Sequence, residues 1–366
     1  MIKTELIDSM KYLPKNVIED ILNVIPYNNR YTKSYLSLAK LISDEYHVKE
    51  VNNVIRISNI LFYNEYRIRL DKSCDFKKNK SRISKKLKLD IHTENTIYRA
   101  IMNNDKERFI SFTERDGFDK DQTLKSDLYP YSYEGYSLLE LCCYHGAVDC
   151  FKLLRTKFNS EITQVCLQFS FLEGNPEIMS ECLKYQKPNE KCMPYAIISH
   201  NIDFVTFLMN EYNIKINLND CEKYKNLESF LVYFDQSNDF KQCFVYSVMF
   251  NIPSLLEYFL SHGANINGKY KDGATALHFA ALNNSKEAAK LLISYGANIN
   301  EKDTYGETAL HIAAWNNNKE TAELLISHGA NINEKKNKFS QTALHFAAYS
   351  NNKEMAKLLI SHGAQK

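Results

Sequence analysis

Histidine returns at a fixed place in this chain. It closes the tetrapeptide Thr-Ala-Leu-His three times, at Thr275–His278, Thr308–His311 and Thr342–His345. A ring nitrogen at such a position could act as a general base, a metal ligand or a hydrogen-bond partner. A residue that recurs with every copy of a structural unit serves that unit, so a structural turn is expected of the three Thr and three His. His262, His328 and His362 each precede a glycine, where a cation suits a helix C-terminus. The nine cysteines, Cys74, Cys142, Cys143, Cys150, Cys166, Cys182, Cys192, Cys221 and Cys243, form no CxxC pair and keep no ligand-like spacing to histidine. They read as reduced, mostly buried small hydrophobes. The adjacent Cys142 and Cys143 point apart on a helix, which disfavours a redox pair. None of the patterns GxxxxGK[ST], GxGxxG, HExxH or GxSxG occurs. No catalytic residue, cofactor or metal is therefore expected.

One charge cluster remains. Residues 61–90 hold ten Lys plus Arg against four acids, with KKNKSRISKKLKL at Lys77–Leu89. It could contact RNA or anionic lipid, or direct nuclear import. No aromatic residue interleaves it to stack on bases, so a solvated linker is the favoured reading and nucleic acid the alternative partner. The whole chain of 366 residues carries a net charge of only +2, which gives no global pull toward polyanions. Its N-terminus lacks the apolar core of a signal peptide, and no run approaches the ~18 apolar residues of a membrane span. A cytoplasmic protein is expected, with nuclear entry through the basic stretch as the alternative.

The elements that position these residues are copied ones. GATALHFAALNNSKEAAKLLISYGANIN at 273–300 is followed 33 residues later by GETALHIAAWNNNKETAELLISHGANIN. Each copy predicts a short helix through Ala280-Ala281, Ala313-Ala314 or Ala347-Ala348, then a break at Asn283-Asn284, Asn316-Asn317 or Ser350-Asn351. A second helix with a Leu-Leu-Ile face follows and stops at Gly296, Gly329 or Gly363. Helices this short are marginal alone, because nucleation is costly and the apolar face has no partner. Stacking one pair on the next supplies that partner, so the repetition is a solution to burial.

The pattern Gly-x-Thr-x-Leu-His-x-Ala-Ala, then Leu-Leu-Ile-x-x-Gly-Ala-x-Ile-Asn, at a period of 33, resembles the ankyrin repeat over residues 264–364. Ala276, Ala309 and Ala343 stand where that family has proline, and Asn replaces the glycine between helices. The third copy carries one inserted residue, with Ser340 in place of Gly273 and Gly306, which suggests a distorted last hairpin. The resemblance implies an all-α solenoid of helix-turn-helix units with short β-hairpin loops, a histidine hydrogen-bonded within its turn, and protein binding through hairpin tips and the exposed face of the first helices.

Upstream, weaker pairs are expected around breaks at Asn104, Gly146, Gly174, His200 and Asn251, each with a small residue before it such as Ala100, Cys142, Ala196 or Ser247. The breaks are irregularly spaced, as in repeats whose hairpins are lost or enlarged. The first 90 residues follow no repeat and are expected to cap the solenoid. The expected divisions are 1–90, helical and ending in the basic linker; 91–235, degenerate helix pairs; and 236–366, regular repeats. This arrangement is similar to the large ankyrin-repeat families of protozoan parasites, whose N-terminal domain has no assigned activity.

The functional expectation is a non-enzymatic adaptor with an unidentified protein partner. Its candidate contact residues are the variable positions after each Ala pair, Leu282, Trp315 and Tyr349, their upstream equivalents Tyr144, Leu172, Ile198 and Met249, and the hairpin-tip aromatics Tyr270, Tyr305 and Phe339. The last copy keeps an internal repeat's Leu-Leu-Ile pattern, so Phe346, Ala347, Ala356 and Leu359 are expected to leave an apolar end face open to self-association.

Overall fold

The computed structural model describes residues 13–51, 54–71, 93, 95–130, 132–270, 272–336 and 340–365. The chain divides into two compact units, Met1–Ser229 and Phe230–Lys366. Both are helical, and the expected all-α architecture of stacked helix pairs holds.

The second unit contains four successive pairs. They are Phe240–Phe250 with Pro253–Ser261, Ala276–Leu282 with Lys286–Ser294, Ala309–Trp315 with Lys319–Ser327, and Ala343–Tyr349 with Lys353–Ser361. Asn251, Asn284, Asn317 and Asn351 reverse the chain within each pair at φ of 55°, 51°, 56° and 55°. Asparagine tolerates this left-handed conformation better than most residues because its short side chain can bond locally. Ala280, Ala281, Ala313, Ala314, Leu292, Leu325 and Leu359 are fully buried, so the small Ala pairs bring first helices close while the leucines fill the space behind.

Hairpins join the pairs. Asp303 N–H bonds to the Glu307 carbonyl at 3.0 Å, and Tyr270 N–H to that of Ala274 at 2.8 Å. In the third copy Lys336 pairs with Gln341, and Ser340 adopts φ 50° where Gly273 and Gly306 have 75° and 78°. Gly273 is required twice over: a Cβ there would stand 2.9 Å from the Thr304 backbone nitrogen of the next hairpin.

The first unit opens with helices Pro14–Asn23, Thr32–Glu45 and Arg56–Tyr66, which share their own core of Ile18, Leu22, Ile25, Leu36, Ile42 and Phe62. Helix pairs follow at Ile97–Met102 with Lys106–Thr113, Leu138–His145 with Val148–Phe158, Gln164–Glu173 with Pro176–Tyr185, and Cys192–Ile198 with Ile202–Tyr212. Asn104, Gly146, Gly174 and His200 all adopt positive φ at the expected breaks. Two short strands, Thr123–Leu124 and Tyr136–Ser137, close an enlarged hairpin between the first two of these pairs.

One pair was not anticipated. Helix Leu218–Lys223 precedes helix Leu227–Ser237, with Lys225 at φ 54° between them. The breaks at Gly146, Gly174, His200, Lys225 and Asn251 are thus 28, 26, 25 and 26 residues apart. These units are near-regular; they are shorter than 33 because short links replace the hairpins. The N-terminal helices also do more than cap an end, since the segment joining the first two runs along the first helices of these pairs.

Candidate protein-binding surface

The recurrent histidines fasten each turn to the next. Thr275 caps its helix, and His278 Nδ1 accepts from the Thr275 N–H at 3.0 Å and lies 2.9 Å from its hydroxyl. Nδ1 must therefore be unprotonated, which leaves Nε2–H to donate to the Glu307 carbonyl of the following copy at 3.1 Å. His311 repeats the arrangement with Thr308 at 3.2 Å and the Gln341 carbonyl at 3.3 Å. Burial lowers the pKa of both rings below the ordinary 6.5, so the neutral tautomer that the hydrogen bonds require is also the one that burial favours. His345 keeps the inner bond, from Thr342 N–H at 3.2 Å, but its ring is exposed. In the first unit, Glu140 takes the same place. Its carboxylate accepts from the Ser137 N–H at 2.8 Å and from the Thr163 hydroxyl of the next pair at 2.6 Å. Each of these groups makes at least one hydrogen bond within or between turns.

The asparagines form a second set of ties. Asn318 Nδ2 donates to the carbonyls of Ala281 and Leu282 at 2.8 Å, and Asn352 Nδ2 to those of Ala314 and Trp315 at 3.1 and 3.0 Å. Asn226 does the same to Ile197 at 2.8 Å, which identifies the unanticipated pair as a member of the series. Asn284 accepts from Thr321 and donates to Glu320. On the loops, Asn267, Asn300 and Asn333 each accept at 2.8 Å from a backbone N–H about one repeat later. The Asn-rich composition thus builds a ladder from one copy to the next. Similarly placed, His262, His328 and His362 donate from Nδ1 to the carbonyl four residues earlier at 2.7, 2.8 and 2.9 Å.

With the backbone satisfied in this way, several large apolar side chains of the second unit are left outward. Leu282, Trp315 and Tyr349 expose 43%, 51% and 68% of their surface in a row along the first helices. Trp315 stands edge-on to Phe346, ring centres 5.9 Å apart, so it is both packed and open. Tyr305 is 62% exposed at a hairpin tip, while Tyr270 is half-buried against Tyr246 and Phe279. Met249 is half-buried as well. Phe339 and the basic stretch 77–88 lie outside the described residues, as does Cys74.

Two expectations are corrected. Tyr144 is only 3% exposed and its hydroxyl is hydrogen-bonded to the Pro26 carbonyl of its own unit, so it is covered rather than open like Trp315; Ile198 is buried too. On the last pair, Phe346, Ala347 and Leu359 are buried against their neighbours and only Ala356 is half-buried. Exposed there, besides the charged and polar residues of the second helix, are His345, Ala348, Tyr349 and Ile360.

The eight described cysteines are all buried. Burial pushes the thiols of Cys142 and Cys143 well above their ordinary range, which opposes thiolate chemistry. Among the described residues, no group of three His, Cys, Asp or Glu could hold a metal ion, and no helix is long and apolar enough to cross a membrane.

Comparison with known families divides the chain along the same lines. Residues 158–233 match a domain of unknown function, DUF3447. Residues 244–336 match ankyrin repeats described as three copies, and residues 316–360 match ankyrin repeats described as many copies. No curated protein matches the chain.

Proposed function

Residues 244–360 are ankyrin repeats, a protein-interaction module, and on that footing we propose that the protein is a non-enzymatic adaptor gripping a protein partner along the first helices of its second unit. The observation that carries this reading is the row Leu282, Trp315 and Tyr349, large side chains left 43% to 68% exposed where Asn318 and Asn352 already satisfy the helix ends beneath two of them. Aromatic residues in such a place bury much area at small entropic cost. Tyr305, at the neighbouring hairpin tip, extends the surface.

Trp315→Ala should weaken binding of a partner isolated with the wild-type chain by about 2 kcal/mol, roughly thirtyfold, with the helical circular dichroism retained. Loss of fold with unchanged affinity would instead place Trp315 in the core. Salt separates the reading from binding by the basic stretch 77–88: phosphate contacts weaken steeply as salt rises, whereas an apolar groove changes little.

A further inference from the structure

Counted from the left-handed residue that ends each first helix, Tyr144 stands in the first unit where Leu282, Trp315 and Tyr349 stand in the second. There the corresponding face is filled. The link between helices Pro14–Asn23 and Thr32–Glu45 crosses it as two short 3-10 turns, Ile25–Tyr27 and Asn29–Tyr31. Tyr144 Oη donates to the Pro26 carbonyl at 2.8 Å and accepts from the Asn29 N–H at 3.2 Å. Asn29 Nδ2 reaches across to the Leu128 carbonyl, in the enlarged hairpin, at 2.8 Å. Arg30 Nη2 donates to the carbonyls of Met102 and His145, the last residues of two successive first helices, at 2.8 and 2.6 Å. Its Nη1 lies 3.8 Å from Glu173, which ends a third. Tyr27 accepts from the Tyr224 hydroxyl at 3.1 Å, so the contacts span the face from helix Ile97–Met102 to Tyr224, just beyond helix Leu218–Lys223.

The link lies, as a bound peptide would, between a helix face and a hairpin. Helix-end carbonyls and a carboxylate make one end of the groove rich in acceptors, which suits a guanidinium. Two observations distinguish this segment from a permanent part of the core. One core cluster of the N-terminal helices lies wholly between Val17 and Leu70 and includes Ile18, Leu22, Leu36 and Phe62, so these helices keep packing of their own when the link leaves the groove. The docking is also imperfect: Asn29 Oδ1 and Arg30 Nε are buried without a hydrogen-bond partner in the protein, and a notch of about 430 Å³ remains beside Arg30, bordered by Met102, His145 and Glu173. A buried polar atom without a partner recovers its hydration on release, which favours the undocked state.

We propose that Ile25–Tyr31 is a releasable occupant of this groove, and that the groove accepts in its place a partner's protein segment of the same chemistry, a short turn offering a proline carbonyl, an asparagine amide and an adjacent arginine. The site is distinct from the surface around Trp315, and the two stand or fall separately.

Amide exchange of the full wild-type chain is the first test. Within residues 25–31 the Asn29 amide, which donates to Tyr144 Oη, should exchange at least tenfold faster than the hydrogen-bonded amides of Leu138–His145, because undocking frees it without unfolding that helix. The second test uses a fluorescent peptide of residues 24–32 as the probe. A full chain carrying Arg30→Ala holds its own link less well and should bind this peptide at least tenfold more tightly than the wild type, while Trp315→Ala leaves peptide binding unchanged. Exchange of the Asn29 amide in step with Leu138–His145 overturns the proposal, as does equal or absent peptide binding by the two folded chains. Should Arg30→Ala fail to fold, the exchange of the wild-type chain decides alone.

Discussion

At the scale of single residues, the same position is filled by different chemistry for one purpose. His278 and His311 accept a bond from their own turn with Nδ1 and donate one onward with Nε2–H, and Glu140 joins the same two places by accepting from both with its two carboxylate oxygens. Protonating either histidine would set a second N–H against the backbone N–H of Thr275 or Thr308 inside the protein. The rings should therefore titrate below 6.5, as burial requires, and their Nε2-protonated tautomer should be visible in nitrogen chemical shifts at neutral pH. Midpoints at or above 6.5 in an NMR titration would refute the network. The recurrence of the histidine is legible in the sequence; the onward bond to Glu307 or Gln341 is invisible locally because it joins residues 29 or 30 apart.

At the scale of the helix pair, asparagine has two separable uses. Asn284 and Asn351 both reverse the chain at φ near 50°, but Asn284 is buried and bonded to Thr321 and Glu320 of the next pair, whereas Asn351 is exposed. Asn284→Gly, although it relaxes the backbone, should cost about 1–3 kcal/mol because it leaves buried partners unpaired. Asn351→Gly should change stability by less than about 0.5 kcal/mol. Chemical denaturation of the two variants checks this, and equal effects would mean that the asparagine ladder contributes nothing beyond φ. The same contrast explains which elements could be read in advance. Breaks at Asn104, Gly146, Gly174, His200 and Asn251 were legible because few residues other than Gly and Asn enter the left-handed region easily, and each follows a small residue on an apolar helix. The pair around Lys225 escaped because lysine gives no such signal and its identifying bond, Asn226 to Ile197, spans 29 residues. The occupied groove was equally hidden: Tyr144 looked like its counterparts Trp315 and Tyr349, and the segment that covers it comes from 115 residues earlier.

Across the whole molecule, the ionisable groups of the two units respond to pH in opposite senses. In the first unit, burial raises the pKa of Asp20, Glu173 and Asp220, with Asp20 pushed from 3.8 to about 6 against a smaller opposing pull from Lys225. A carboxyl whose folded pKa is raised contributes most stability when protonated, and that contribution is lost as pH rises through the folded value. In the second unit, hydrogen bonds from Lys269, Lys302 and Lys357 lower Glu301, Glu334 and Glu354, and burial lowers His278 and His311. Groups with lowered folded values stabilise at higher pH, and their contribution fades as pH falls below 6.5 for the histidines and below 4.5 for the glutamates. Acidification from pH 7.5 to 5 should therefore weaken the second unit while strengthening the first. The chain has a single tryptophan, Trp315, which reports on the second unit alone, so the fluorescence-monitored melting temperature should fall over this range. Amide exchange in Leu138–Phe158 should slow over the same range by more than the intrinsic base-catalysed rate falls, so that its protection factors rise. Asp20→Asn removes the buried charge and should stabilise the first unit at pH 7 by up to about 3 kcal/mol, from a displacement of about two pH units at about 1.4 kcal/mol each. In that variant the rise in Leu138–Phe158 protection on acidification should shrink, while the Trp315 transition keeps its full pH dependence. A tryptophan transition that rises on acidification, or a first unit that responds to pH as strongly without Asp20, would show that other groups govern the balance.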